Sequence, residues 1–269
     1  MIYFCPTPIG NLSDITKRTL EVLNSVDIIA AEDTRTSLKL LNNYNIKKKL
    51  ISYHKFNESS QAENIVELSR ENNIAIITDA GLPGISDPGE VLVKKLIEED
   101  IEFQVLPGPN AALTALVLSG LNTEHFLFYG FLNSKSSARK KELTELENLK
   151  FTLIFYEAPH RIENFLADLY EIFGDRRISI SRELTKLYEQ TLRENLSYFV
   201  ENPGSIKLKG EFVVVVEGKK EEQLNIDVKN ILTEKLQSGM KKSQAVKEIS
   251  KEYNIPKNEV YKVSLEVEE

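Results

Sequence analysis

Short apolar runs recur along the first half of the chain. Each ends in a polar or Gly/Pro-rich stretch and is followed by a segment of helical period. Met1–Cys5, Ile28–Ala31, Leu50–Tyr53, Ile74–Ile77 and Phe103–Leu106 read as buried strands. Between them, Ile15, Leu20, Leu23 and Val26 keep a helical stripe behind a cap at Ser13 or Asp14. Leu38–Tyr44, Gln61–Arg70, Glu90–Glu99 and Ala111–Leu118 read as further helices. This alternation predicts a mostly parallel sheet covered on both faces.

A break at Gly120–Thr123 precedes a different rhythm. Phe126–Phe131, Thr152–Tyr156, Arg177–Ser181 and Glu211–Val216 read as strands, the last able to run antiparallel. Ile162–Phe173 reads as a helix, and Ser197–Phe199 begins a short one. A charged linker spans Glu217–Asp227, and helices follow around Ser243–Ile249 and Lys257–Lys262, with a turn at Pro256. That spacing suits a helix-turn-helix; nucleic-acid binding, packing and dimerisation are all open to it. The expected architecture is α/β: two α/β domains, 1–120 and 121–220, then a small helical module, 221–269.

The stretch Thr78-Asp79-Ala80-Gly81-Leu82-Pro83-Gly84-Ile85-Ser86-Asp87-Pro88-Gly89 organises the rest. It sits between a strand and a helix, at the sheet edge where open α/β folds bind ligands. Its glycines permit unusual backbone paths and leave N–H groups open to close approach; a tight βα connection without a ligand is the alternative. Four more loops follow strands: Pro6–Asn11, Glu32–Thr36, His54–Glu58 and Pro107–Ala112. All five can converge on one edge to form a small-molecule cleft.

Composition narrows the chemistry. The 269 residues suggest about two domains. One cysteine, Cys5, excludes an internal disulfide framework, and three scattered histidines argue against a metal site, so none is expected. The segment Met1–Phe4 reads as a strand rather than a signal peptide, and no apolar run is long enough for a bilayer, so a cytoplasmic, membrane-free protein is expected. A net charge of −7 argues against coating nucleic acid by bulk charge, leaving local patches to do so. G-x-G-x-x-G, the P-loop signature and G-x-S-x-G are all absent, which disfavours dinucleotide, NTPase and α/β-hydrolase readings.

The motifs Pro6-Thr7-Pro8-Ile9-Gly10-Asn11-Leu12, Ala31-Glu32-Asp33-Thr34-Arg35, the Asp79–Gly89 loop and Leu106-Pro107-Gly108-Pro109 resemble the tetrapyrrole-methylase superfamily. Phe155-Tyr156-Glu157-Ala158-Pro159-His160-Arg161, Arg182-Glu183-Leu184-Thr185-Lys186 and Lys209-Gly210-Glu211-Phe212 extend the likeness to its ribosomal small-subunit RNA cytidine 2′-O-methyltransferases. The resemblance implies a homodimer that binds S-adenosyl-L-methionine (SAM) in the interdomain cleft and acts on the RNA of the small ribosomal subunit. It implies methionine-end contacts from Asp79, Gly81, Leu82 and Pro83, and backbone contacts from Gly108, Asn110 and Ala111. Pro8 and Gly10 would wall the methyl-transfer side, and Tyr156 and Phe212 would approach the adenosine. Leu82 stands where the family pattern has Thr, which removes a hydroxyl while leaving backbone contacts.

The implied transfer to a ribose 2′-hydroxyl needs alignment and a proton acceptor. Glu32, Asp33, His54 and Glu183 are candidate bases; Arg35, Arg182 and Lys186 are candidate RNA contacts. Lys135, Arg139, Lys140 and Lys141 form a basic run suited to RNA phosphate or to a solvated face, and the tail from Lys235 to Lys262 is also basic. Few aromatics flank these runs, so base stacking is not evident. Two competing readings are a methylase of a small tetrapyrrole-like acceptor and a non-catalytic SAM-binding or ribosome-assembly module.

Overall fold

The computed structural model describes residues 1–220, 227–253 and 255–267. Residues 221–226, within the expected linker, and 254 and 268–269, within the expected tail, lie outside the described residues.

Five short strands form the first sheet: β1 (Ile2–Phe4), β2 (Ile28–Ala31), β3 (Lys49–Ser52), β4 (Ile74–Ile77) and β5 (Phe103–Val105). They are ordered β3-β2-β4-β1-β5, and every pairing is parallel. All strands therefore end at the same edge. β2 and β4 are buried along their whole length, which is why each reads as an unbroken apolar run. Helices α1 (Lys17–Ser25), α2 (Thr34–Asn43), α3 (Glu58–Leu68) and α4 (Glu90–Glu98) connect them, and α5 (Ala111–Ser119) leaves the sheet. One core lies on each face, around Phe4, Tyr53 and Ile76 and around Leu23, Leu41 and Ile77.

Three helix starts differ from expectation, α3 beginning at Glu58 rather than Gln61. Residues Leu12–Asp14 form a separate single-turn helix capped by Asn11, and Ile15 is extended, so α1 begins later. Its cap is Thr16, whose hydroxyl accepts from the Thr19 amide at 3.0 Å. Helix α2 begins four residues early, because Asp33 accepts from the Arg35 amide at 2.8 Å and turns part of the expected polar loop into a first turn.

The second sheet contains β6 (Phe126–Phe131), β7 (Thr152–Glu157), β8 (Arg177–Arg182), β9 (Gln190–Asn195) and β10 (Phe212–Val216). Its order is β6-β7-β10-β8-β9, with β6 and β7 parallel and β10 antiparallel to both neighbours. Strand β9 was not expected: it is a polar edge strand, and its apolar signal is too thin to register. Helices α6 (Ser136–Leu146), α7 (Ile162–Phe173) and α8 (Leu196–Glu201) cover one face over a core containing Leu153, Phe165 and Val214. The other face receives α5, whose Ala112, Ala115 and Leu116 pack with Ile154, Val213 and Val215. Met1–Lys219 thus forms one compact unit containing both sheets.

The second unit begins at Lys220. Its helices α9 (Val228–Gln237), α10 (Lys242–Glu252) and α11 (Lys257–Ser264) bury Leu232, Ala245, Val246, Ile249 and Val260 in a core of their own. Among the described residues, no helix is long and apolar enough to cross a membrane.

Candidate active site

The shared strand-end edge of the first sheet faces a cavity of about 390 Å³ within the first unit. That is enough for a cofactor-sized ligand. Glu32 enters from the end of β2. The loop after β4 contributes Asp79 to Leu82 and Ile85 to Asp87. Asn110 and Ala111 come from the start of α5. The opposite wall is built by the second sheet: Phe131 from β6, Tyr156 to Pro159 from the end of β7, Leu184, and Gly210 to Val213 leading into β10.

The loop after β4 is held from several sides. Thr7 and Gly81 exchange backbone hydrogen bonds of 2.9 and 3.0 Å, and the Thr7 hydroxyl donates to the Thr78 carbonyl at 3.0 Å. Gly81 lies at φ +81°, a conformation that favours glycine. Farther along, the Glu58 carboxylate accepts from the amides of Gly89 at 2.7 Å and Val91 at 3.3 Å. A Cβ on Gly89 would stand 2.9 Å from the Gly84 Cα, so the turn closes because Gly89 has no side chain.

Five carboxylates line the cavity; Glu157 is paired to Arg161 at 3.0 Å and Glu211 to Lys186 at 2.8 Å, which leaves Glu32, Asp79 and Asp87. The Asp79 amide donates to Glu32, and Asp79 in turn accepts from the Asp33 amide at 3.2 Å, so the β2 and β4 ends brace each other. Burial raises the affinity of Glu32, Asp79 and Asp87 for protons. Asp87 is pushed up to about 7, first by burial and then by the charges of Glu32 and Asp79, against a hydrogen bond from Thr78. Across the space, burial pushes the Tyr156 hydroxyl up to about 12, opposed by a hydrogen bond from the Ala112 amide. The site is therefore short of positive charge and favours a cationic guest.

Of the residues expected at a cofactor, Asp79, Gly81, Leu82, Asn110, Ala111, Tyr156 and Phe212 line the cavity. Pro8, Gly10, Pro83 and Gly108 are outside its lining. Gly10 and Gly108 are packing glycines: a Cβ on the first would meet Lys186 and Leu184, and on the second Pro6. Of the expected bases only Glu32 reaches the wall. Asp33 is held low by hydrogen bonds from Arg35. Burial would raise Glu183, but Lys186 and the Glu211 amide bring it below its ordinary value. Lys186 bridges Glu183 at 2.9 Å and Glu211 at 2.8 Å. His54 donates its amide to Asn57 and stands outside the lining, close enough for its charge to act on Glu32.

The expected RNA contacts divide as well. Arg35, Lys135 and Lys141 are exposed. Arg139 is only 2% exposed, and its Nε donates to Asp168 at 2.7 Å; it is an interior ion-pair residue, which removes it from the phosphate-contact set. Lys140 is tied to Glu171 at 2.6 Å. Arg182 is buried and donates to the Lys209 and Tyr188 carbonyls, so it too is removed from that set. The sequence reading missed Asp87 as a buried carboxylate of raised proton affinity. Its place in the Ile85-Ser86-Asp87-Pro88 segment was visible; its burial beside Glu32 was not.

Solved structures with this fold include a diphthine synthase, with a TM-score of 0.64 at 13% identity, covering 81% of this chain and 90% of that one. A uroporphyrin-III-C-methyltransferase from Thermus thermophilus matches with a TM-score of 0.58 at 18% identity, over 80% of this chain and 93% of that one. The sequence pattern of the Tetrapyrrole (Corrin/Porphyrin) Methylases matches residues 1–199. Among curated relatives, a Ribosomal RNA small subunit methyltransferase I from Bacillus subtilis (strain 168) is 43% identical, over 97% of this chain and 92% of its own length. A protein of the same name from Synechocystis sp. is 41% identical, over 100% of this chain and 98% of its own. With a matching family pattern over most of its length and near full-length relatives at this identity, the chain belongs to the tetrapyrrole methylase family, among the ribosomal RNA small subunit methyltransferases I.

Proposed function

We propose that this methyltransferase moves a methyl group from SAM to the 2′-hydroxyl of a cytidine in small-subunit ribosomal RNA, working as a homodimer. The observation that carries the cofactor half is the cavity itself: apolar walls, a cofactor-sized volume and the carboxylates Glu32, Asp79 and Asp87, all of raised proton affinity, suit a molecule with a positive centre. SAM, when bound, supplies an electrophilic methyl group on a sulfonium sulfur. Asp79, Gly81 and Leu82 are placed to hold its methionine end. The N-terminus of α5, at Asn110 and Ala111, offers amide groups to its carboxylate. Tyr156 and Phe212 supply a flat apolar wall for its adenosine.

The 2′-hydroxyl must lose its proton as it attacks. Asp87 and Glu32 are the carboxylates on the cavity wall suited to receive it. Asp87 is the better base, since a value of about 7 combines a large deprotonated fraction with useful basicity. Hydroxyl orientation and exclusion of water fall to the second-sheet wall around Tyr156 and Phe131. The RNA half of the reading rests on the kinship to proteins named for ribosomal RNA and on the exposed cations Arg35, Lys135 and Lys141. The test is transfer of labelled methyl from SAM to small subunits lacking the modification, with the position mapped by resistance to alkaline cleavage. Label on one cytidine ribose is expected. Absence of label, with SAM binding intact by calorimetry, overturns the RNA half.

A further inference from the structure

Phe56 is 95% exposed, the most exposed large apolar side chain among the described residues. It stands at the tip of a fixed turn. The His54 amide donates to the Asn57 side chain at 2.8 Å, the Asn57 amide donates back to the His54 carbonyl at 3.0 Å, and the Asn57 side-chain amide reaches the Ser52 carbonyl at 3.3 Å. The next residue, Glu58, accepts from the Tyr53 hydroxyl at 3.0 Å and from the Gly89 and Val91 amides. The tip is thereby tied to the same loop that walls the cavity. Its ring meets His54 with centroids 6.0 Å apart and planes at 66°.

Its neighbours are cationic and polar. Lys55 is exposed beside it, and Arg35, paired to Asp33 at 3.1 Å with 88% of its side chain in solvent, follows the end of adjacent strand β2. Glu32, which follows the same strand, enters the cavity. A lone aromatic ring ringed by His54, Lys55 and Asn57 is too small an apolar patch to form the core of a protein interface. Rigidly presented aromatics beside cations match what an unpaired nucleic-acid strand needs: a π-face for a base and positive charge for its phosphates.

We propose that Phe56 is a stacking platform for an unpaired RNA base adjoining the acceptor nucleotide, with Lys55 on the flanking phosphate. This rests on the RNA reading above. Stacking fixes which nucleotide enters, leaving the cavity and its cofactor untouched. Phe56→Ala should raise KM for the small ribosomal subunit by about tenfold, within the roughly 5- to 150-fold that one base–aromatic stack represents. SAM affinity by calorimetry and kcat should hold. Phe56→Trp should restore KM and Phe56→Leu should not, since Leu supplies apolar area without a π-face. An unchanged KM in Phe56→Ala, or rescue by Leu equal to that by Trp, overturns the proposal. So does a halved mass of Phe56→Ala in sedimentation, which would make the ring a contact between copies. If the unaltered protein binds SAM but labels no RNA, the RNA reading itself falls and takes the platform with it; label with an indifferent Phe56→Ala condemns the platform alone.

Discussion

At the residue scale the decisive group is Asp87. Its folded value of about 7 lies above its ordinary 3.8, because burial and two neighbouring carboxylates oppose the charge. Folding therefore takes up a proton between about pH 4 and 7. The sign follows: the stability associated with neutral Asp87 is complete below about pH 4 and is lost as pH rises through about 7. Asp87→Asn should accordingly melt higher than the parent at pH 8 without cofactor, and the gap should close towards pH 4. Activity should move oppositely. If Asp87 receives the hydroxyl proton, kcat/KM rises with pH and levels above about 7. Asn at this position should lower the plateau by about 10²–10⁴-fold and remove that limb. A variant both more stable at pH 8 and fully active would leave Asp87 a structural role and return the proton to Glu32.

Arg139 teaches a different lesson at the same scale. In sequence it sits within Lys135–Lys141 and looks like part of a basic run. In the fold it is sealed against Asp168, 29 residues away on α7, which also accepts from the Ser136 hydroxyl at 3.1 Å. Arg139→Ala leaves the buried Asp168 carboxylate with only the Ser136 hydroxyl and the Lys140 ammonium at 3.6 Å, so it should destabilise by up to about 3–5 kcal/mol in urea unfolding. The exposed Lys141→Ala should leave the unfolding free energy within about 0.5 kcal/mol. Spacing alone shows that four cations are near one another; it does not show which one the helix turns inward.

At the element scale, the central strands β2 and β4 of the first sheet were legible because they are buried along their length and read as continuous apolar runs. The partly exposed edge strands β3 and β5 were marked by shorter apolar pieces, Leu50-Ile51 and Phe103 with Val105. The loops that follow them were legible for the same reason, and with them the edge that carries the cavity. Strand β9 was not, since Gln190–Asn195 is half solvent-facing and carries one large aliphatic residue, Leu192. The start of α2 was hidden because Asp33 reads equally well as a loop residue and as a cap. The loop after β4 belongs to this scale, since its function depends on a backbone path. Gly81 is on the cavity wall, with Ile9 Cγ2 and the Pro109 carbonyl 3.6 and 3.9 Å from where a Cβ would stand. Gly81→Arg should abolish SAM binding by calorimetry. A retained far-ultraviolet circular dichroism spectrum and cooperative melt would show that the fold survives. Unchanged affinity would move the cofactor away from this loop.

At the scale of the whole molecule, the two compact units invite separate roles. Every residue lining the cavity lies between Ile9 and Val213, within the first unit, and the three tail helices have a hydrophobic core of their own. A cofactor bound in this cavity would have no need of the tail. The tail's cations were legible in sequence, but their pairing was not: Lys235 is held by Glu248 at 3.2 Å and Glu252 at 3.4 Å, which subtracts it from the charge available to a phosphate. Lys241, Lys247, Lys251, Lys257 and Lys262 remain, on a chain whose overall charge of −7 repels nucleic acid. If the tail offsets that repulsion, ending the chain after Lys219 should leave the calorimetric affinity for SAM within twofold and raise KM for the small subunit. The salt dependence of that KM should flatten as well, because fewer phosphate contacts release fewer counterions. Loss of SAM binding with the tail would mean that the first unit needs it to fold. An unchanged KM and salt slope would confine RNA recognition to the first unit, where Arg35, Lys55 and Phe56 already stand at the sheet edge.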